Sequence, residues 1–117
     1  MDLKNAIEKY AEWKTKFRLV IKRRESMDSV TIAKDNCCEL GKWLYGEGKL
    51  NFGHMTAHHE CIANHAKFHV EAGKIASTIN ARDFKRAAGM LDIGTLYAAA
   101  SSAVGISIMK LKKEIVG

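Results

Sequence analysis

Nothing inside this chain of 117 residues forbids a helix: it contains no proline, and its apolar side chains recur at steps of three and four. A proline within a helix costs about 3 kcal/mol or more. Steps of three and four place side chains on one face of a 3.6-residue spiral. Leu3, Ile7, Tyr10, Trp13, Phe17 and Val20 form one such seam, which predicts a helix over 2–24 with Tyr10 facing the core. Met55, His58, Ile62, His65, Phe68, His69, Ala72, Ile75 and Ile79 form a second. Leu96, Ala100, Val104, Ile108, Leu111 and Ile115 form a third, with Lys110, Lys112 and Lys113 at the end where the helix dipole favours cations.

The segments between these seams carry start and stop signals. Residues 26–29 read as a connection followed by a short turn through Ile32. Asn36 with Glu39 three residues on resembles a capping box, opening a helix through Cys38, Leu40, Trp43 and Leu44 that stops at Gly46-Glu47-Gly48. Asn51 is placed to cap the helix of the second seam, Asn80 restarts the chain toward Phe84, Ala87 and Leu91, and Asp92-Ile93-Gly94 marks a break. The fold expected is all-α: one domain over 1–117, an antiparallel four-helix bundle with one extra short helical element.

Hydrophobic content of 47% and charge of 27% suit a globular chain. Cys37, Cys38 and Cys61 are odd in number and two are adjacent, so they do not form a disulfide framework; a reducing cytoplasm is the expected setting. The uncharged run from Ile93 to Met109 is too short for a membrane span and reads as a buried bundle helix. The net charge of +6 is interleaved with acidic residues along helix faces, which reads as a solvated surface rather than a nucleic-acid footprint.

The chemistry-bearing cluster is Cys38-Glu39-Leu40-Gly41-Lys42-Trp43 followed, after 21 intervening residues, by His65-Ala66-Lys67-Phe68-His69. His65 and His69, at i and i+4, project from one helix face about 6 Å apart. With a thiol from another helix they make three corners of a tetrahedral zinc site. His58 lies about 10 Å of helix rise before His65, too far to share one ion comfortably. His54, His58 and His59 are therefore expected at the surface. Cys61 could pair with His65 at i, i+4 but not with His69 in the same tetrahedron.

Tyr10-Ala11-Glu12-Trp13, then 24 residues to Cys38-x-Leu-Gly-x-Trp43, then 21 to His65-x-x-x-His69, resembles the chemoreceptor zinc-binding family. That family's pattern is His-x-x-Trp, Cys-x-Leu-Gly-x-Trp and His-x-x-x-His at the same spacings. The resemblance implies zinc on Cys38, His65 and His69, and it puts Tyr10 where the family has its first histidine ligand. Gly41 would let another helix approach the Cys38 turn, and Leu40, Trp43, Leu44 and Trp13 would wall the site from water.

A phenol must lose a proton to bind zinc, at roughly 4 kcal/mol at pH 7. Three states follow: zinc on three ligands with water in the fourth position, zinc recruiting Tyr10 as phenolate, or a metal-free site that Tyr10 fills. Catalysis is not expected, since Glu12 and Glu39 are candidate bases only by nearness in sequence. By resemblance the chain is a bacterial cytoplasmic sensory module and a homodimer, working with an output signalling domain such as a chemoreceptor signalling region or a diguanylate cyclase. Metal occupancy or the redox state of Cys38 would bias that output. The competing readings are a metal-free dimerisation module of the same fold, a hemerythrin-like di-iron bundle that binds oxygen, and a basic nucleic-acid binder. The small-residue stretch from Ala98 to Ala103 and the apolar side of the first helix are the candidate dimer surfaces.

Overall fold

The computed structural model describes residues 1–116, all helices and connections, with no strand among them. Three long helices carry the three seams: α1 (Leu3–Arg23), α5 (Thr56–Asn80) and α7 (Leu96–Val116). Four short ones complete the set: α2 (Ser29–Ala33), α3 (Glu39–Tyr45), α4 (Glu47–Phe52) and α6 (Phe84–Gly89). Asp2, Asp28 and Asp83 cap α1, α2 and α6, each accepting a backbone N–H three residues on. Such caps contribute about 1 kcal/mol each.

Two predicted helix starts move. The cap of α3 is Cys38, not Asn36; its Sγ accepts from the Gly41 N–H at 3.3 Å. A side chain on Cys38 therefore both starts a helix and faces the core. Asn51 lies inside α4 instead of capping α5, which starts after Met55 with no side-chain cap. The break at Asp92-Ile93-Gly94 falls where expected, between α6 and α7.

Cross-helix contacts give the direction of each element. Tyr10 meets Phe68 near the start of α1, and Arg24 meets Arg82 near its end, so α1 and α5 run parallel. Phe17 packs on Tyr97, Arg18 reaches Asp92, and Asn64 donates to Ser107, so α7 runs antiparallel to both. The remaining arm is residues 27–45, which descends along α5 in the reverse direction. Met27 is clasped by Asn80 through two hydrogen bonds of 2.8 Å, the Ile32 carbonyl meets His69, Cys38 meets His65, and the Leu44 carbonyl meets His58. This is the up-down-up-down bundle with its second member broken into short helices.

The core joins these arms. Phe17, Phe68, Leu44, Ile75, Ile79, Leu91, Ile108 and Leu111 are nearly or fully buried. Tyr10, Phe68, Tyr97 and Phe17 form a chain of ring contacts with centroids 4.9 to 5.9 Å apart, running from the His65/His69 region to the middle of the bundle. No helix among the described residues is long and apolar enough to cross a membrane.

Candidate metal centre

Three elements each deliver part of one buried cluster. α5 presents His65 and His69 from adjacent turns, with relative exposures of 0% and 3%. The second arm presents Cys38 at the start of α3, and α1 presents Tyr10, 5% exposed. The four donor atoms face one another. Cys38 Sγ lies 3.2 Å from His65 Nε2 and 3.5 Å from His69 Nε2, and the two Nε2 atoms are 3.1 Å apart. The Tyr10 hydroxyl oxygen lies 2.6 Å from His65 Nε2, 3.1 Å from His69 Nε2 and 3.2 Å from Cys38 Sγ.

Six separations of 2.6 to 3.5 Å among four atoms are the edges of a small tetrahedron. Bonds of about 2.0–2.3 Å to a central zinc would give edges of roughly 3.3–3.7 Å. The donor set thus fits a tetrahedral ion after an outward adjustment of a few tenths of an ångström on most edges and the largest on the Tyr10–His65 edge. Among the described residues, Cys38, His65 and His69 form the one metal-capable group of cysteine, histidine and carboxylate side chains. No carboxylate joins it, which disfavours the hemerythrin-like reading.

The surroundings orient the donors. His69 Nδ1 lies 2.8 Å from the Ile32 carbonyl, which only accepts, so Nδ1 carries the hydrogen and Nε2 offers its lone pair to the cluster when the ring is neutral. His65 Nδ1 is buried with no partner, so the two imidazoles are held unequally. Gly41 seats α3 against the loop before it. A Cβ there would fall 1.8 Å from the Asp35 carbonyl oxygen and 3.1 Å from His65 Cε1. Glycine at this position is a steric requirement of the site, set first by the loop before α3 rather than by the neighbouring helix the sequence suggested.

The electrostatics favour a thiolate. Burial opposes ionisation of Cys38, but hydrogen bonds with His65, His69, Tyr10 and the Gly41 N–H more than offset it and bring the thiol down to about 5. His69 is pushed up: burial works against its charge, and the contact with Cys38 and the Ile32 carbonyl outweigh that. Burial, with the neighbouring Cys38, drives Tyr10 well above the ordinary phenol range. Left without a metal, the cluster is a thiolate contacted by two imidazoles and a phenol that keeps its proton.

Residues outside the cluster sort clearly. Cys61 is buried and its thiol is pushed up to about 12 by burial, leaving it inert. Cys37 is exposed. Glu12 and Glu39 are exposed, and Glu39 pairs with Lys9 of α1 at 3.0 Å. His54 and His59 are at the surface as expected, but His58 is not: it is 1% exposed, with Nε2 2.9 Å from the Leu44 carbonyl. It fastens the end of α3 to α5. Its place on the His65 stripe, two turns earlier, was the available signal.

Leu40 and Leu44 are buried, whereas Trp43 packs at a tilt against Phe52 of α4 with centroids 6.1 Å apart. A cleft of about 170 Å³ between α1 and α3, lined in part by Trp13, Lys9 and Leu40, reaches Tyr10 and Cys38 from outside.

A helical bundle with a cysteine–histidine cluster shared by two of its arms, and a tyrosine from a third against it, defines a metal-binding type of helical domain. The sequence profile of the chemoreceptor zinc-binding domain matches residues 11–76, more than half of the chain and all of Cys38, His65 and His69. The chain belongs to the chemoreceptor zinc-binding domain family, a family of zinc-binding sensory domains. Tyr10 stands one residue before the matched stretch. No curated protein and no solved structure matches the chain.

Proposed function

We propose that this domain is a cytoplasmic, non-catalytic regulatory module that responds to zinc, with Cys38, His65, His69 and Tyr10 holding the ion. The observation that carries the reading is the mutual contact of those four donor atoms, drawn from α1, the second arm and α5. Bound zinc would supply a cross-link among three arms and a stabilised thiolate. Cys38 needs little help to ionise, and the Ile32 carbonyl keeps His69 Nε2 available. Tyr10 is the costly donor, because its proton must leave a buried phenol.

Fixing Tyr10 and Cys38 against α5 sets how α1 and α3 lie on the bundle. An output signalling domain, of the chemoreceptor or diguanylate cyclase kind, would read that arrangement, and a second copy of the chain would complete the module. Oxidation of the Cys38 thiolate would remove the same tie.

The test is zinc affinity by competition with a chromogenic chelator for wild type, Tyr10→Phe and Tyr10→His. Tyr10→Phe is expected to bind more weakly than wild type and Tyr10→His more tightly. Equal affinity in all three would exclude Tyr10 as a ligand. A second reading, the metal-free dimerisation module, is favoured by the short Tyr10–His65 contact, which fills the cluster without an ion. It predicts protein purified without zinc and a melting temperature unmoved by added zinc.

A further inference from the structure

The interleaving of positive and negative charge along the helices fails at one end of the bundle. From Lys14 to Arg24 the chain has six cations and no acid. The end of α1 packs against α6, where Lys85 and Arg86, with Arg82 in the turn before, add three more. The acids at this end are already engaged. Glu25 meets Arg23 at 3.9 Å, Asp92 meets Arg18 at 3.8 Å, and Asp28 and Asp83 cap α2 and α6. Among the described residues, Lys22, Arg24, Arg82 and Lys85 have no carboxylate partner. Arg24 and Arg82 instead lie over the one ring of Phe84, 5.2 and 5.8 Å from its centre, and Arg82 donates to the Arg24 carbonyl at 2.6 Å. Two guanidinium groups are gathered at one place although their charges repel.

The same end also holds two large apolar side chains in water. Ile93 and Leu96 are 96% and 72% exposed. They are not on a loose segment: the Thr95 hydroxyl donates to the Asp92 carbonyl at 2.8 Å and accepts from the Ala98 N–H at 3.2 Å, and Gly94 takes a left-handed φ of 85°. Both sit among the cations. Arg18 reaches Asp92, the neighbour of Ile93, and Arg86 and Leu96 line one surface cleft.

We propose that this end of the bundle docks on a lipid bilayer bearing anionic headgroups, its cations on the phosphates and Ile93 and Leu96 entering the headgroup layer. Adsorption of this kind draws on buried apolar area and on attraction to anionic lipid together, and both parts are present here side by side. A nucleic acid or an acidic peptide would answer the cations and leave Ile93 and Leu96 in water. Attachment is peripheral, since no helix among the described residues can cross a membrane. It does not depend on zinc, because none of these residues is a donor of the Cys38 cluster.

Flotation of the full chain with vesicles of phosphatidylcholine, alone or mixed with phosphatidylglycerol, tests this. The chain is expected to float with the anionic vesicles and not with the neutral ones, and to be released as salt rises. Ile93→Ser combined with Leu96→Ser is expected to weaken binding by about tenfold or more, with net charge and helicity unchanged. Lys22→Gln combined with Lys85→Gln is expected to weaken it and to flatten its salt dependence. Lys112→Gln with Lys113→Gln, at the other end of the bundle, is expected to leave it intact. No flotation at low salt, or equal flotation with neutral vesicles, overturns the proposal. Anionic vesicles held equally well by the Ile93→Ser, Leu96→Ser protein also overturn it, and leave only a general attraction for polyanions. Each result can be read without the zinc affinity at Cys38, which is measured separately.

Discussion

Cys38 combines two jobs in one side chain: it caps α3 by accepting from the Gly41 N–H, and it faces two imidazoles and a phenol. Its ionisation has a measurable consequence in metal-free protein. The folded-state value, about 5, is below the ordinary thiol value of 9.0, so the thiolate contributes stability that is present above 9 and lost as pH falls through 5. The raised His69 works the other way: its contribution is complete below 6.5 and disappears as pH rises through its folded value. Between 6.5 and 5 only the thiolate contribution changes, because His69 is protonated in folded and unfolded chains alike. Thermal melts of metal-free protein should therefore fall over that window, and Cys38→Ser should lack that dependence. A melting temperature equally flat in both proteins would contradict the thiolate.

At the scale of elements, the second arm packs closely along α5. Gly73 is the tightest place: a Cβ there would lie 2.6 Å from Ala33 Cβ and 3.0 Å from Ala33 Cα. Gly73→Ala is expected to push α2 off α5 and take the Ile32 carbonyl away from His69, visible as weaker zinc binding and a shifted His69 ring resonance with long helices intact. His58→Leu should cost about 1–3 kcal/mol in denaturant unfolding by leaving the buried Leu44 carbonyl without its partner.

The three long helices and the Cys38, His65, His69 cluster were legible because both rest on short periodicities and on a thiol joined to an i, i+4 pair. The Ile32 carbonyl and the Gly73–Ala33 contact were not. A backbone acceptor and a contact between residues 40 positions apart leave no pattern in side-chain type. The Cys38 cap was hidden for a related reason, since Asn36 and Glu39 satisfied a local rule that tertiary contact overrode.

For the whole molecule, the apolar core and the metal centre are largely separate supports. Phe17, Ile75, Val104 and Ile108 are fully buried without contributing a donor to the cluster. Stripping zinc should therefore lower the melting temperature while most helicity remains. At free zinc one hundred times the dissociation constant, binding contributes about 2.7 kcal/mol, on the order of 10 °C for a domain this size. No change in melting temperature on chelation would argue for the metal-free module.

The broken second arm also bears on how quickly the centre can exchange its contents. Residues 34–38 have almost no helical ladder of their own, whereas His65 and His69 sit in the middle of the longest helix. Opening there needs only a local fluctuation, far cheaper than unfolding the bundle. With zinc bound, Cys38 would be the latch and α5 the frame: release times would follow the loop's own opening rate, and a more stable core need not make them slower.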